Sequence, residues 1–309
     1  MAALLALYLG AIGTHIAQHY AAADAIFLAL LLTFAVRMAR RFARRQDVPP
    51  PSFVLVAFGF LNAIAGTVLL LMGSLGEGSP RCVLLGAQLL YQGFVLYLVL
   101  GIGGFLLPRF LQLPRPEFPE SRTPPPGWNR RAAFALAIGA LLLATFVADA
   151  LAWSPRGIAA VRATLATVFL LTQIPFHRGA IPRLTLTVCL RAALFFIVLG
   201  LLFPALWPAQ RVAGAHIVFI GGFALIAITV ATRVVLGHSG YSHLFTTPLP
   251  FLIATVLLLV ASMILRVAGD FALANRGNLL DLASYAWMLA AILWGWRVLP
   301  KVRIPDSEE

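Results

Sequence analysis

The sequence predicts an all-α fold: a polytopic bundle of about ten transmembrane helices with both termini cytoplasmic. Three observations predict it. Apolar residues make up 61% of the 309-residue chain and charged residues 11%, with a mean hydropathy of +0.92, more apolar sequence than one soluble core can bury. These residues fall into runs close to the roughly 20 that a helix needs to cross a hydrocarbon layer about 30 Å thick. Arginines gather in alternate connectors, as expected when Lys and Arg resist translocation.

The predicted spans cover residues 2–18, 22–38, 52–74, 82–107, 131–152, 157–174, 183–206, 212–235, 249–268 and 279–299. An Ala21, Ala22, Ala23 run after the first mimics a signal-peptide cleavage site, but no positive residue precedes it, so an uncleaved first helix is expected. Arg37, Arg40, Arg41, Arg44 and Arg45 share the second connector, and Arg109, Arg115, Arg122, Arg130 and Arg131 the fourth. Arg178, Arg183, Lys301 and Arg303 fall on the same side by parity, which places that side in the cytoplasm. The opposite connectors, "SLGEGSPR", "SPRG" and "WPAQR", carry single arginines. The whole chain, 1–309, reads as one transmembrane domain: helices 1–4 in 1–107, a cytoplasmic proline-rich linker over 108–130, and helices 5–10 in 131–299. No fixed-period repeat is apparent.

Composition also excludes. The net charge of +12 lies in connectors with no interleaved aromatics, so nucleic acid is not an expected partner and the lipid bilayer is. Cys82 and Cys189 do not suggest a disulfide framework. Nucleotide loops, Cys-x-x-Cys, covalent-haem attachment, His-Glu-x-x-His and paired intramembrane carboxylates are absent, which leaves hydrolytic and ATP-driven functions unsupported.

Ionisable groups within spans are costly and are the default functional candidates. His15 and His19, four apart at the end of the first span, would share one helical face and suit a metal, or simply meet water and headgroups. His216 lies one turn inside the eighth span and is either a ligand or a buried imidazole satisfied by a carbonyl. His238 follows the far end of that span, about 33 Å away along a helix, so the two serve opposite faces. Gly237 and Gly240 around His238 and Ser239 read as a helix cap, and Arg233 one turn earlier either holds an anion such as a haem propionate or snorkels. Arg191 needs a partner: Asp149, a bound carboxylate, or the cytoplasmic side. Gln88, Tyr91 and Gln92 form a polar stripe suited to helix packing, followed by Gly101, Gly103 and Gly104, which allow close approach or a break before Pro108.

The stretch "AGAHIVFIGGFALIAITVATRVVLGHSG" resembles the characteristic segment of the NnrS family through His216, Gly221, Arg233, Gly237, His238 and Gly240. "LGIGGFLLPRF" resembles a second family segment through Gly103, Gly104, Pro108 and Phe110, and "LRVAG" and "LWGWRVLP" agree more loosely. The family's His-x-His-Glu-Met motif is absent, Phe105 stands where an arginine is usual and Arg191 where a histidine is usual. The resemblance implies a multi-pass protein of the bacterial inner membrane that binds haem b and copper and takes part in the nitric oxide response. It implies His216 as axial ligand and His238 with Arg233 as a second site at the inner face; Arg191, from its place inside a span, is a further cofactor-binding candidate, and His15 and His19, from their spacing rather than from the resemblance, are candidate metal ligands alongside His216. The alternative reading is a ten-span secondary transporter of a small anionic metabolite, with Arg191 and the Gln88 seam recognising the solute.

Overall fold

The computed structural model describes residues 2–16, 18–113, 123–151, 154–178 and 184–304. Among them are ten helical segments and no strand: α1 (Ala2–Ile16), α2 (Tyr20–Ala43), α3 (Pro51–Ser74), α4 (Pro80–Phe110), α5 (Trp128–Ala150), α6 (Pro155–Gln173), α7 (Thr185–Leu206), α8 (Pro208–His238), α9 (Pro250–Ala268) and α10 (Leu273–Arg303). Hydrocarbon offers the backbone no hydrogen-bond partner, so an apolar run must satisfy its own N–H and C=O groups, and the α-helix does so within one segment. Eight helices, α2–α5 and α7–α10, are long and apolar enough to cross a membrane. The apolar part of α1 is short, and α6 carries Arg156 and Arg162. Prolines open α3, α4, α6, α8 and α9, where the missing N–H costs nothing. At α4 the Ser79 Oγ also accepts from the Cys82 N–H at 3.3 Å.

The helices fall into two compact units. The first holds α1, α2, α3, α4 as far as Leu106, and α5; the second holds residues 107–113 and α6–α10. Of the two readings of the glycines before Pro108, close approach and a break, the structure shows close approach, with Gly101 pressed against Val56. The helix continues to Phe110, and the Leu107 and Pro108 carbonyls accept from the Leu111 and Leu113 N–H groups at 2.8 and 2.9 Å. The middle of the predicted linker, 114–122, lies outside the described residues. Near its end Trp128 begins α5 and donates its indole N–H to the Pro49 carbonyl at 2.8 Å.

The two units repeat a three-helix arrangement, α3–α4–α5 in the first and α7–α8–α9 in the second, without the fixed period that the sequence also lacks. The second helix of each trio is 31 residues long and opens on proline. One turn and a half later comes a glycine, Gly86 or Gly214, pressed against a glycine of the preceding helix. A Cβ on Gly66 would lie 2.8 Å from the Gly86 carbonyl oxygen, and one on Gly200 would lie 2.8 Å from that of Gly214. Each helix then widens into a π-helical stretch, Gln88–Gly93 or Ile217–Ala224. Within it Gly93 abuts Asn62 and Phe146, and Gly221 abuts Phe196 and Met263, the same positions of the flanking helices in both trios. The shift that carries Phe146 onto Met263 also carries the buried Leu142 and Thr145 onto the buried Leu259 and Ser262. Connectors of unequal length separate the equivalent helices, so the repeat has no constant period along the chain.

A side chain at either glycine crossing has nowhere to go. Gly66→Val and Gly200→Val are each expected to cost about 1–3 kcal/mol by overpacking. Gly277→Ala, which meets nothing within 4 Å, is expected to be neutral or to gain up to about 1 kcal/mol. Thermal unfolding of the detergent-solubilised variants measures both.

Candidate functional site

His216 stands at the mouth of the π-helical stretch of α8, two residues beyond the glycine crossing. Its Nδ1 lies 2.8 Å from the Val212 carbonyl oxygen. A carbonyl only accepts, so Nδ1 carries the proton, and of the two neutral tautomers this is the one that leaves the lone pair on Nε2. The ring is half-buried, 6.2 Å from that of Phe219, and within electrostatic reach of Arg266 and Asp270. Arg266 donates to Asp270 Oδ1 at 3.0 Å, and the Arg276 guanidinium lies 3.6 Å from the same oxygen. Only 9% of the Asp270 side chain is exposed, and its Oδ2 is buried with no hydrogen-bond partner among the described residues. An imidazole, two guanidiniums and a carboxylate therefore gather at one end of the second unit.

The first unit shows what the module looks like without that chemistry. Gln88 occupies the place of His216, and its Nε2 donates to Asp149 Oδ2 at 2.7 Å. The register that matches Phe146 with Met263 sets Asp149 where the second unit has Arg266. The glycine crossings agree between the copies while polar positions differ, among them Asn62 against Phe196, Gln88 against His216 and Asp149 against Arg266. These three lie beside the π-helical stretch, a common location for functional groups. The wider turn also breaks up the expected stripe, because Tyr91 is 56% exposed while Gln88 reaches across to α5.

The family model described as NnrS protein matches residues 1–305. The chain belongs to the NnrS family. No curated protein and no solved structure matches it.

In this NnrS chain the other predicted site residues stand apart from His216. Arg233 is sandwiched between the rings of Phe110 and Phe245, 4.8 and 4.5 Å from their centroids. It lies 17 residues beyond His216, about 25 Å along the helix, too far for one macrocycle to touch both. His238 is exposed at the end of α8. The cap is made by Gly240, at φ +76°, with the Tyr241 N–H donating back to the Leu236 carbonyl at 2.9 Å. Ser239 Oγ donates to the Lys301 carbonyl at 2.8 Å, tying the cap to the end of α10. Arg191 turns along its helix and donates to the Arg178 carbonyl at 3.2 Å. The reading that put His15 and His19 on one helical face is corrected: α1 ends at Ile16, Gln18 is left-handed at φ +62°, and His19 precedes α2. Both are exposed and belong to the first unit, whereas His216 belongs to the second.

Among the described residues no three His, Cys, Asp or Glu side chains form a set able to hold a metal ion. A recess of about 400 Å³ in the first unit is lined by apolar and aromatic residues, Leu5, Tyr8, Leu31 and Phe60 among them, and contains no histidine. Sequence reasoning passed over Arg162, only 6% exposed within α6, and the Arg266, Asp270 and Arg276 cluster. The signal available was an Arg–Asp pair four residues apart at the end of an apolar run. Arg233→Ala is expected to lose about 0.5–1 kcal/mol of cation–π attraction. Faster hydrogen exchange near the end of α8, with the start of α8 unchanged, is the measurement that checks it.

Proposed function

We propose that this NnrS protein is a multi-pass protein of the bacterial inner membrane that binds haem b through His216 and serves the nitric oxide response. One observation carries the reading: the Val212 carbonyl holds the Nδ1 proton, so the ring is fixed in the tautomer that offers Nε2, and such a hydrogen bond raises the basicity of an imidazole ligand. When bound, haem iron supplies affinity for diatomic gases, tuned by its axial ligand and by nearby charge. Val212 orients the imidazole. Arg266 and Arg276, held by Asp270 near the same ring, suit propionate groups better than Arg233, which lies too far along α8. Copper has less support, since His216 has no companion set of metal-binding side chains among the described residues.

A second reading, a secondary transporter of a small anionic metabolite, gains from the repeated trio. Interrupted hydrophobic helices at corresponding positions of two repeats are a recognised pointer to a transporter's binding site. Its polar centre would be the cluster around Arg266, because Arg191 is turned towards Arg178.

Purification from haem-replete cells, with haem and metal analysis and a reduced-minus-oxidised spectrum, separates the two. A haem band that weakens at least tenfold in His216→Ala is expected. No band in the parent protein, together with carboxylate uptake into proteoliposomes, would move the assignment to the transporter.

A further inference from the structure

The end of α2 carries Arg37, Arg40, Arg41 and Arg44, at spacings of three, four and seven residues from the first. On a helix these positions form one stripe, and seven residues extend it about 10 Å along the axis. All four side chains are exposed, and none has a hydrogen bond, ion pair or ring contact from its side chain among the described residues. Arg45 behaves differently. It folds back, donating to the Phe42 carbonyl at 2.8 Å with its guanidinium 4.0 Å over the Phe42 ring, so it serves the negative end of the helix dipole. With that role filled, four guanidiniums remain, and among the described residues of the connector that follows, Asp47 is the one carboxylate.

The stripe begins where the apolar run ends. A bilayer is about 30 Å thick across its hydrocarbon and about 40–45 Å with its headgroups, which leaves an interfacial layer several ångströms deep on each side. A stripe about 10 Å long on a helix emerging from the hydrocarbon lies through that layer and slightly beyond. Guanidinium forks match phosphate oxygens in shape and charge. We propose that Arg37, Arg40, Arg41 and Arg44 form a binding surface for the phosphate headgroups of anionic phospholipids, beyond the general role of positive charge in setting topology. Arg45 takes no part, because its donors are committed to the helix end.

Native mass spectrometry of the full chain, released from nanodiscs of phosphatidylcholine mixed with phosphatidylglycerol, tests this. The parent protein should retain phosphatidylglycerol in preference to phosphatidylcholine. Arg41→Gln should weaken retention about fivefold, with a similar factor for each further arginine of the stripe removed. Arg45→Gln should leave it unchanged, and replacement of all four by Lys, which keeps the topology signal, should preserve most of it. Equal retention of the two lipids by the parent protein would overturn the proposal. So would an Arg45→Gln loss as large as that of Arg41→Gln, or displacement of the lipid by soluble glycerophosphate at matched ionic strength.

Discussion

Helices in lipid gain nothing from the hydrophobic effect when they associate, because the hydrocarbon around them is as apolar as their side chains. Close contact must supply the attraction, and here it is concentrated where two glycines meet, Gly66 with Gly86 and Gly200 with Gly214. The backbones approach so closely there that no other residue fits. These crossings set the register of each trio, and the register decides which side chains line the π-helical stretches beyond.

The same scarcity of water governs the charges. Arg266 and Asp270 neutralise each other, Arg233 is held between two rings, and Arg191 reaches a backbone carbonyl. None of these solutions calls for a cofactor, so an intramembrane charge is weak evidence of function when taken singly. What distinguishes His216 is that one nitrogen is committed to a carbonyl and the other is kept chemically available. The paired modules strengthen that distinction. Both copies keep the glycine crossing, while the place of His216 in one is held by Gln88, bonded to Asp149, in the other.

The helices were legible because hydropathy and proline placement are local properties. The predicted limits of α3, α7 and α9 fall within about two residues of those observed, as expected where an apolar run ends abruptly at Pro or a polar turn. The site was legible only in part. His216 stood out as an imidazole in an apolar run, but the carbonyl that selects its tautomer and the arginines of α9 and α10 that share its end of the unit depend on packing between helices. The His15 and His19 pairing failed because the four-residue rule assumes an unbroken helix, and the chain reverses between them.

The amino-acid sequence by itself determined that this protein is a membrane helix bundle of the NnrS family, because apolar run length and a motif of spaced glycines, histidine and arginine are properties of neighbouring residues. Tertiary structure alone decided that two trios of helices repeat and that His216 shares its end with Arg266, Asp270 and Arg276. Those facts depend on which helix faces meet, and the contacts of small residues, made between segments distant in the chain, set that.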